Sequence, residues 1–114
     1  MSRDDWRTRI DDITAAVEKV RRYVEGMDFA GFCNDDRTVD AVIRNLSVIG
    51  EAASRVPPDV ITRYPGIPWA LMRGIRNVLV HEYFGVSLQV IWDTANEDLP
   101  PLAEQLRRVL DENP

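Results

Sequence analysis

The residues of this chain that can act on a phosphate are concentrated in one short segment. Residues 73–84 hold the only histidine and two of the fourteen Lys and Arg residues of the 114-residue chain. Wound as a helix at about 100° per residue, the segment places two guanidiniums, an amide, an imidazole and a phenol opposite an apolar stripe. The polar side chains are Arg73, Arg76, Asn77, His81 and Tyr83. The apolar stripe consists of Leu71, Met72, Ile75, Val78 and Leu79. The combination predicts a site that handles a phosphodiester.

His81 has two interpretations. A lone histidine near the end of a helix is favoured there by the helix dipole and needs no further role. The functional interpretation rests on Asn77, which precedes His81 by one helical turn and can orient the imidazole through a hydrogen bond. A histidine with its ordinary pKa of about 6.5 can take a proton from a ribose 2′-hydroxyl or give one to a leaving 5′-oxygen. The neighbours of the histidine, rather than the histidine alone, favour the second interpretation.

Arg73 and Arg76 can be ordinary solvated arginines, the commonest situation for this residue type. On the helical projection, however, they share an arc with three large apolar side chains, Trp69, Val80 and Phe84. Such a mixed surface is expected to pack against another subunit, because aromatic residues and arginine are enriched in interfaces. We therefore expect the site at or beside a dimer interface. There the guanidiniums can bind phosphate oxygens and stabilise the charge of the transition state.

Other polar residues have competing explanations. Tyr83 is either an interface aromatic whose hydroxyl stays in water or a reactive hydroxyl beside the histidine. Glu51 lies among small residues that allow close helix approach, and it forms either a surface salt bridge or a contact that orients an arginine. Helix capping fully explains the cluster of Asp35, Asp36 and Asp40, so no metal site is predicted there.

Composition limits the class of protein. With 114 residues, 45% of them apolar, one folded domain over residues 1–114 is expected. The single cysteine, Cys33, fits a reducing, cytoplasmic environment, and with one histidine it leaves too few ligands for structural zinc. No other cofactor is expected, and no apolar run approaches the roughly 20 residues that span a bilayer. The net charge of −5 argues against a protein that coats nucleic acid, so any RNA binding must be local.

The first predicted helix carries an apolar stripe with alternating spacings of four and three residues. The stripe consists of Trp6, Ile10, Ile13, Val17, Val20 and Val24. Ser2 with Asp5 resembles a capping box at its start, and Gly26 is suited to its end. Residues 27–34 are predicted to form a connector with both of its phenylalanines turned inward.

A second long helix is predicted to begin at Asn34 or Asp35 as its N-cap. Its inward side chains are expected to be Val39, Val42, Leu46, Ile49, Ala53 and Val56. The pair of prolines at 57–58 ends it. Residues 58–64 can then form one helical turn.

The helix with the candidate site is predicted to run from Trp69 to about Tyr83, with Pro68 at its first position. Gly85 breaks that helix, and Ser87 can cap a last apolar segment.

Two consecutive prolines at 100–101 are expected to kink or split that last segment near Asp98. Both halves carry apolar stripes with helical spacing, and no stretch alternates with the period of a strand. We therefore predict an all-α fold, an antiparallel bundle of four to five helices.

The candidate-site segment also resembles a known motif. Residues 76–83 are similar to the Arg-x4-His-x-Tyr motif of HepT-like proteins in the HEPN superfamily. The flanking residues 67–69 and 84–86 fit the same family, and residues 40–52 resemble its second-helix motif. Because the flanks match as well as the motif, the resemblance is specific and covers nearly the whole chain.

The resemblance implies a fold and an activity. HEPN proteins are all-α and usually homodimeric, and many are metal-independent endoribonucleases. The arginine and histidine of the motif correspond to Arg76 and His81, and the polar residue after the arginine corresponds to Asn77. Arg73, on the same arc, is expected to support them. We expect cleavage to leave a 2′,3′-cyclic phosphate and a 5′-hydroxyl.

The resemblance also implies partners. HepT-like toxins are paired with a small nucleotidyltransferase antitoxin, MntA, which uses ATP and magnesium to transfer AMP to the motif tyrosine, here Tyr83. We therefore expect an RNA substrate, an antitoxin of this kind, and a homodimer or a higher assembly.

A second function is compatible with the same residues. A non-catalytic HEPN module would use Arg76 and His81 to bind a nucleotide or to dock a nucleotidyltransferase. The acidic net charge would then need no explanation. Growth arrest on expression of the chain alone distinguishes the toxin from this module.

Overall fold

The computed structural model describes residues 5–81 and 87–114, and at 77, 78, 80 and 81 the backbone alone. Its regular structure within those ranges is helical, without a strand. The four long helices are α1 (Trp6–Val24), α3 (Asp36–Ser54), α5 (Trp69–His81) and α7 (Pro100–Glu112). The short ones are α2 (Phe29–Cys33), α4 (Pro58–Arg63) and α6 (Leu88–Asp93), and a π-helical turn, Thr94–Asp98, lies between α6 and α7.

The first helix starts about one turn later than predicted. Asp5, rather than Ser2, is the N-cap, because its backbone is extended, with ψ at 119°, and its carboxylate accepts a hydrogen bond from the Arg7 N–H. The guanidinium of the same arginine lies 2.8 Å from that carboxylate. Together these hydrogen bonds lower the pKa of Asp5 from 3.8 to about 2. The predicted capping box is therefore wrong, whereas Gly26 ends the helical region as expected, with φ at +77°.

The predicted inward stripe of α1 is confirmed. Its members after Trp6 are buried, and Trp6 itself packs against the core half-buried. The buried positions are Ile10, Ile13, Val17, Val20 and Val24. This stripe contacts α3 on one side and α7 on the other, so α1 lies in the middle of the bundle.

The connector predicted at 27–34 contains a helical turn, α2. Asp28 caps it through a 2.7 Å hydrogen bond from the Gly31 N–H. Phe32 is fully buried against Trp92, with 5.2 Å between ring centroids, and Phe29 is half-buried beside the same ring. The inward phenylalanines were predicted, but the short helix that carries them was not.

The second long helix is confirmed with Asp35 as its N-cap. The carboxylate of Asp35 accepts hydrogen bonds from the Thr38 backbone and hydroxyl, and these bonds lower its pKa. The helix ends before the proline pair, as predicted, and Pro58 then opens the short α4. The inward side chains predicted for the second long helix are all buried.

The prolines at 100–101 split the last segment, as predicted, and the split takes the form of a π-helical turn. Proline has no N–H to donate and its ring clashes with the carbonyl four residues earlier, so the regular ladder cannot continue through this point. The Leu99 N–H instead bonds the Thr94 carbonyl five residues back, at 3.1 Å. Beyond the turn, Leu102, Leu106 and Val109 hold α7 in the core.

The prediction of an all-α bundle is confirmed. Its core includes side chains from all the helices α1 to α7, of which the largest fully buried ones include Ile10, Phe32, Leu46, Met72, Ile91 and Leu106. α3 lies between α1 and α5, so α5, the helix with the candidate site residues, packs directly against α3. Among the residues described, no helix combines the length and apolar character needed to cross a bilayer.

Candidate functional site

The site helix α5 is anchored by its apolar side. Met72, Ile75 and Leu79 are buried at helical spacing, as predicted. Leu71, expected on the same inward side, is 39% exposed. Pro68 immediately precedes the helix rather than occupying its first position, and its carbonyl accepts the Met72 N–H at 3.2 Å.

Trp69 belongs to the core, not to an outward face. The side chain is 4% exposed, and its indole N–H donates a 2.9 Å hydrogen bond to the Tyr64 carbonyl. The prediction that Trp69 shares an exposed arc with the arginines is therefore wrong. At the first turn of α5, the preceding loop folds over the ring and removes it from water.

Both arginines of the predicted site lie on the exposed side of α5. The Arg76 guanidinium forms an ion pair with Glu51 of α3, with 3.1 Å between Nη1 and Oε2. The side chain of Arg76 nevertheless remains 57% exposed. Arg76 is thus held from one side by a carboxylate and open to solvent on the other.

Glu51 joins two arginines. Its second oxygen, Oε1, accepts a hydrogen bond from Nε of Arg55 at 3.2 Å, four residues later and immediately after the end of α3. The sequence is compatible with two roles for Glu51, a surface salt bridge or a contact that orients an arginine. In the structure, Glu51 contacts both Arg55 and Arg76. Arg55 was not predicted. The four-residue spacing between Glu51 and Arg55 is the pattern that could have found it.

A glycine brings α3 and α5 close enough for this ion pair. An added Cβ at Gly50 would lie 3.0 Å from Cβ of Arg76 and 3.1 Å from its backbone nitrogen. The backbones can approach this closely only because the position carries no side chain. Gly50 therefore sets the position of the segment of α5 from which Arg76 projects.

For the remaining predicted site residues, the structure describes either the backbone alone or nothing. Asn77 and His81 lie on α5, one turn apart, and His81 is the last residue of that helix that the structure describes. Their side chains fall outside what the structure describes. Tyr83 lies outside the described residues, as does the predicted end of the helix near it.

The chemistry available at the described part of the site is that of anion binding. A guanidinium presents a planar fork of N–H donors that matches the oxygens of a phosphate. Within residues 5–81 and 87–114, no group of three or more His, Cys, Asp or Glu side chains is placed to hold a metal ion. Arg76 and Arg73 are the cationic groups that α5 offers to a ligand.

Comparisons with known proteins agree on one family. The model of the family described as "Ribonuclease HepT-like" matches residues 13–109. A protein of Thermococcus cleftensis named "Probable ribonuclease HepT" is 40% identical over 102 residues, covering 87% of this chain and 93% of that protein. "Putative RNase MJ0125" of Methanocaldococcus jannaschii is 33% identical over 110 residues, covering 96% and 95%.

A third relative, a protein of Caldanaerobacter subterraneus also named as an RNase, is 33% identical over 91% of this chain and 93% of its own length. No solved structure matches the chain. The matches confirm the resemblance predicted from residues 76–83 and their flanks, and the chain belongs to the ribonuclease HepT-like family.

Proposed function

We propose that this chain is a metal-independent endoribonuclease and the toxin of a toxin–antitoxin pair. The observation that carries the proposal is the exposed guanidinium of Arg76, held on α5 five residues before His81. Both residues lie within the part of the chain that the family model matches. Relatives that are named as ribonucleases, and that this chain matches over most of their length, support the same activity.

Arg76 and His81 are suited to the two tasks of RNA cleavage by internal attack. The ribose 2′-oxygen bonds to the adjacent phosphorus, and the bond from phosphorus to the 5′-oxygen breaks. His81 takes the proton from the attacking hydroxyl, and Arg76 donates hydrogen bonds to the phosphate oxygens, which gain charge in the transition state. The products are a 2′,3′-cyclic phosphate and a 5′-hydroxyl.

Two copies of the chain complete the site in this proposal. Two protons have to move, and each chain holds a single histidine. His81 of one subunit removes the 2′-proton, and His81 of the partner subunit protonates the leaving 5′-oxygen. Five helical positions separate Arg76 from His81, about 140° around the helix axis and about 7.5 Å along it. A substrate phosphate between two such helices can meet both groups.

Modification of Tyr83 is the proposed means of silencing the toxin. A nucleotidyltransferase antitoxin would transfer AMP from ATP to the hydroxyl of Tyr83, two residues beyond His81. If the helix continues to Tyr83, the seven-residue separation places it on the same side as Arg76, about two turns away, so the added nucleotide would bring bulk and negative charge toward the guanidinium. It would therefore occupy the guanidinium and repel the substrate phosphate.

Alanine substitutions test the nuclease directly. In buffer containing excess EDTA, His81→Ala should slow cleavage of a single-stranded RNA by roughly 10²- to 10⁴-fold. Arg76→Ala should slow it by roughly 10²- to 10³-fold. Circular dichroism and thermal melting should remain close to those of the wild type, because an exposed ion pair contributes little stability.

Arg108→Ala is the matched control, since Arg108 is an exposed arginine of α7 that forms an ion pair with Glu104 at 3.0 Å. This variant should cut RNA at the wild-type rate. Wild-type rates in His81→Ala or Arg76→Ala would contradict the mechanism. They would favour a non-catalytic module that holds a nucleotide or a nucleotidyltransferase.

Intact mass tests the proposed silencing. After incubation with the neighbouring nucleotidyltransferase, ATP and magnesium, the chain should gain the mass of one or more AMP groups and lose its RNA cleavage. Tyr83→Phe should gain none. Addition of AMP to Tyr83→Phe at the wild-type level would move the modification to another residue.

A further inference from the structure

A groove between α1 and α3 adjoins Arg76 and is lined by arginines. This open groove has a volume of about 460 Å³. Its charged side chains are Arg9 and Asp12 of α1, Arg44 and Glu51 of α3, and Arg55, the residue that follows α3. Because Glu51 is also the partner of Arg76, the groove opens directly beside the candidate site.

The groove has a local excess of positive charge. Both of its carboxylates are already paired with arginines: Asp12 lies 3.6 Å from Arg9, and Glu51 contacts Arg55 and Arg76. Arg9 is offset by Asp12, and Arg44, Arg55 and Arg76 together carry three positive charges against the one carboxylate of Glu51. In a chain of net charge −5, this concentrates positive potential at one place.

The accessible groups of the groove form a strip along α3. Arg44 and Arg55 are exposed at its ends, and Val48 is 38% exposed between them. Eleven helical positions separate the two arginines, about 16 Å along the axis. That length corresponds to about four or five stacked nucleotides of one strand. The strip therefore offers charge for phosphates and apolar surface for a ribose or base.

We propose that this groove binds the sugar–phosphate backbone of a single RNA strand next to the phosphate held by Arg76. The proposal rests on the nuclease function proposed above and names where the substrate lies. A second groove, beside α1 and the π-helical turn, is a weaker candidate, because Glu18 and Glu25 there balance Arg21 and Arg22. The groove beside Arg76 also explains how an acidic protein binds RNA: the contact is confined to one strip.

Binding measured against salt concentration tests the groove. His81→Ala serves as the non-cleaving background, and the probe is a fluorescein-labelled single-stranded RNA of ten nucleotides, followed by anisotropy. Arg44→Ala should weaken binding about tenfold at low salt. It should also reduce the slope of log K against log salt by about 0.7, and Arg44→Ala with Arg55→Ala by about 1.4.

Two controls separate charge from folding. Arg44→Lys keeps the charge and should retain most of the affinity and the slope. Arg108→Ala removes an exposed arginine from α7, outside the groove, and should change neither quantity. Unchanged circular dichroism of Arg44→Ala would show that its loss of binding is not a loss of fold.

The outcomes distinguish the groove from the nuclease. If the wild type cuts RNA and Arg44→Ala in the non-cleaving background binds it like Arg108→Ala, the groove is overturned and the nuclease stands. If the chain neither cuts nor binds the RNA, both proposals are overturned. Reduced affinity and slope in Arg44→Ala, with cleavage by the wild type, would support both.

Discussion

At the scale of single residues, the contact between Glu51 and Arg76 matters for position more than for stability. The two side chains are 45% and 57% exposed, and ion pairs of this kind contribute about 0–1 kcal/mol to folding. The carboxylate is fixed from a second side by Arg55. It can therefore hold the guanidinium of Arg76 in one place. When a group that contacts a phosphate in the transition state is displaced by even about one ångström, the rate of the reaction falls.

Glu51→Gln should therefore change kcat for RNA cleavage without raising KM. We expect kcat for RNA cleavage to fall about tenfold, because the guanidinium of Arg76 loses its charged partner. KM should not rise, because the groove loses a negative charge. The free energy of unfolding should change by less than about 1 kcal/mol.

Glu104→Gln removes the equivalent carboxylate from the ion pair with Arg108 on α7 and should leave both constants unchanged. A raised KM with an unaltered kcat in Glu51→Gln would show that Glu51 supports binding rather than the placement of Arg76.

At the scale of helices, the crossing of α3 and α5 links the fold to the site. The crossing depends on Gly50, which lies within 3.1 Å of both the backbone and Cβ of Arg76 once a Cβ is added. A larger residue must push α5 away from α3. Because Arg76 projects from the point of contact, its distance from Glu51 would change with the crossing.

Gly50→Ala should lower the free energy of unfolding by about 1–3 kcal/mol and slow RNA cleavage, since overpacking displaces the helix that carries Arg76. Urea denaturation and cleavage rates measure the two effects. Gly74→Ala is the matched control within α5, because, among the residues that the structure describes, no atom outside its chain neighbours and its own helix backbone lies within 4 Å of its added Cβ. It should stabilise the helix by about 0.5–1 kcal/mol. Equal effects of the two substitutions would rule out the close approach at Gly50.

Sequence patterns predicted the long helices well, because their buried stripes repeat at helical spacing. The stripe of α1, the Asp35 cap and the break at the two prolines were all read from local chemistry. Trp69 was misplaced because a helical projection gives a direction but not the neighbouring loop, which here supplies the Tyr64 carbonyl.

The contacts between the site residues could not be predicted from the sequence. The pairing of Glu51 with Arg76 depends on how α3 and α5 are set against each other, and that register is not encoded in the spacing of either helix. The motif at 76–83 predicts Arg76 as a site residue, but the groove beside it is formed between α1 and α3, and the spacing within either helix does not show which side chains of the other it faces.

At the scale of the whole molecule, the proposed mechanism requires an assembly of two chains. In that mechanism, the net charge of −5 would confine RNA binding to a local surface, and the single histidine would supply one of the two proton transfers. A second copy would provide the other imidazole and double the cationic surface around the bound strand.

The active species is therefore expected to have twice the 13.0 kDa mass of the chain. Sedimentation equilibrium at micromolar concentrations, alongside cleavage rates over a dilution series, checks this expectation. The rate per chain should fall as dilution separates the subunits. A monomer that retains full activity per chain would contradict the shared site.

The end groups of the cut RNA test the central claim most directly. A 5′-labelled RNA incubated with the wild-type chain in excess EDTA should yield fragments ending in 2′,3′-cyclic phosphate and beginning with 5′-hydroxyl, and His81→Ala should yield none. Fragments with 5′-phosphate ends, or identical fragments from His81→Ala, would contradict cleavage by Arg76 and His81.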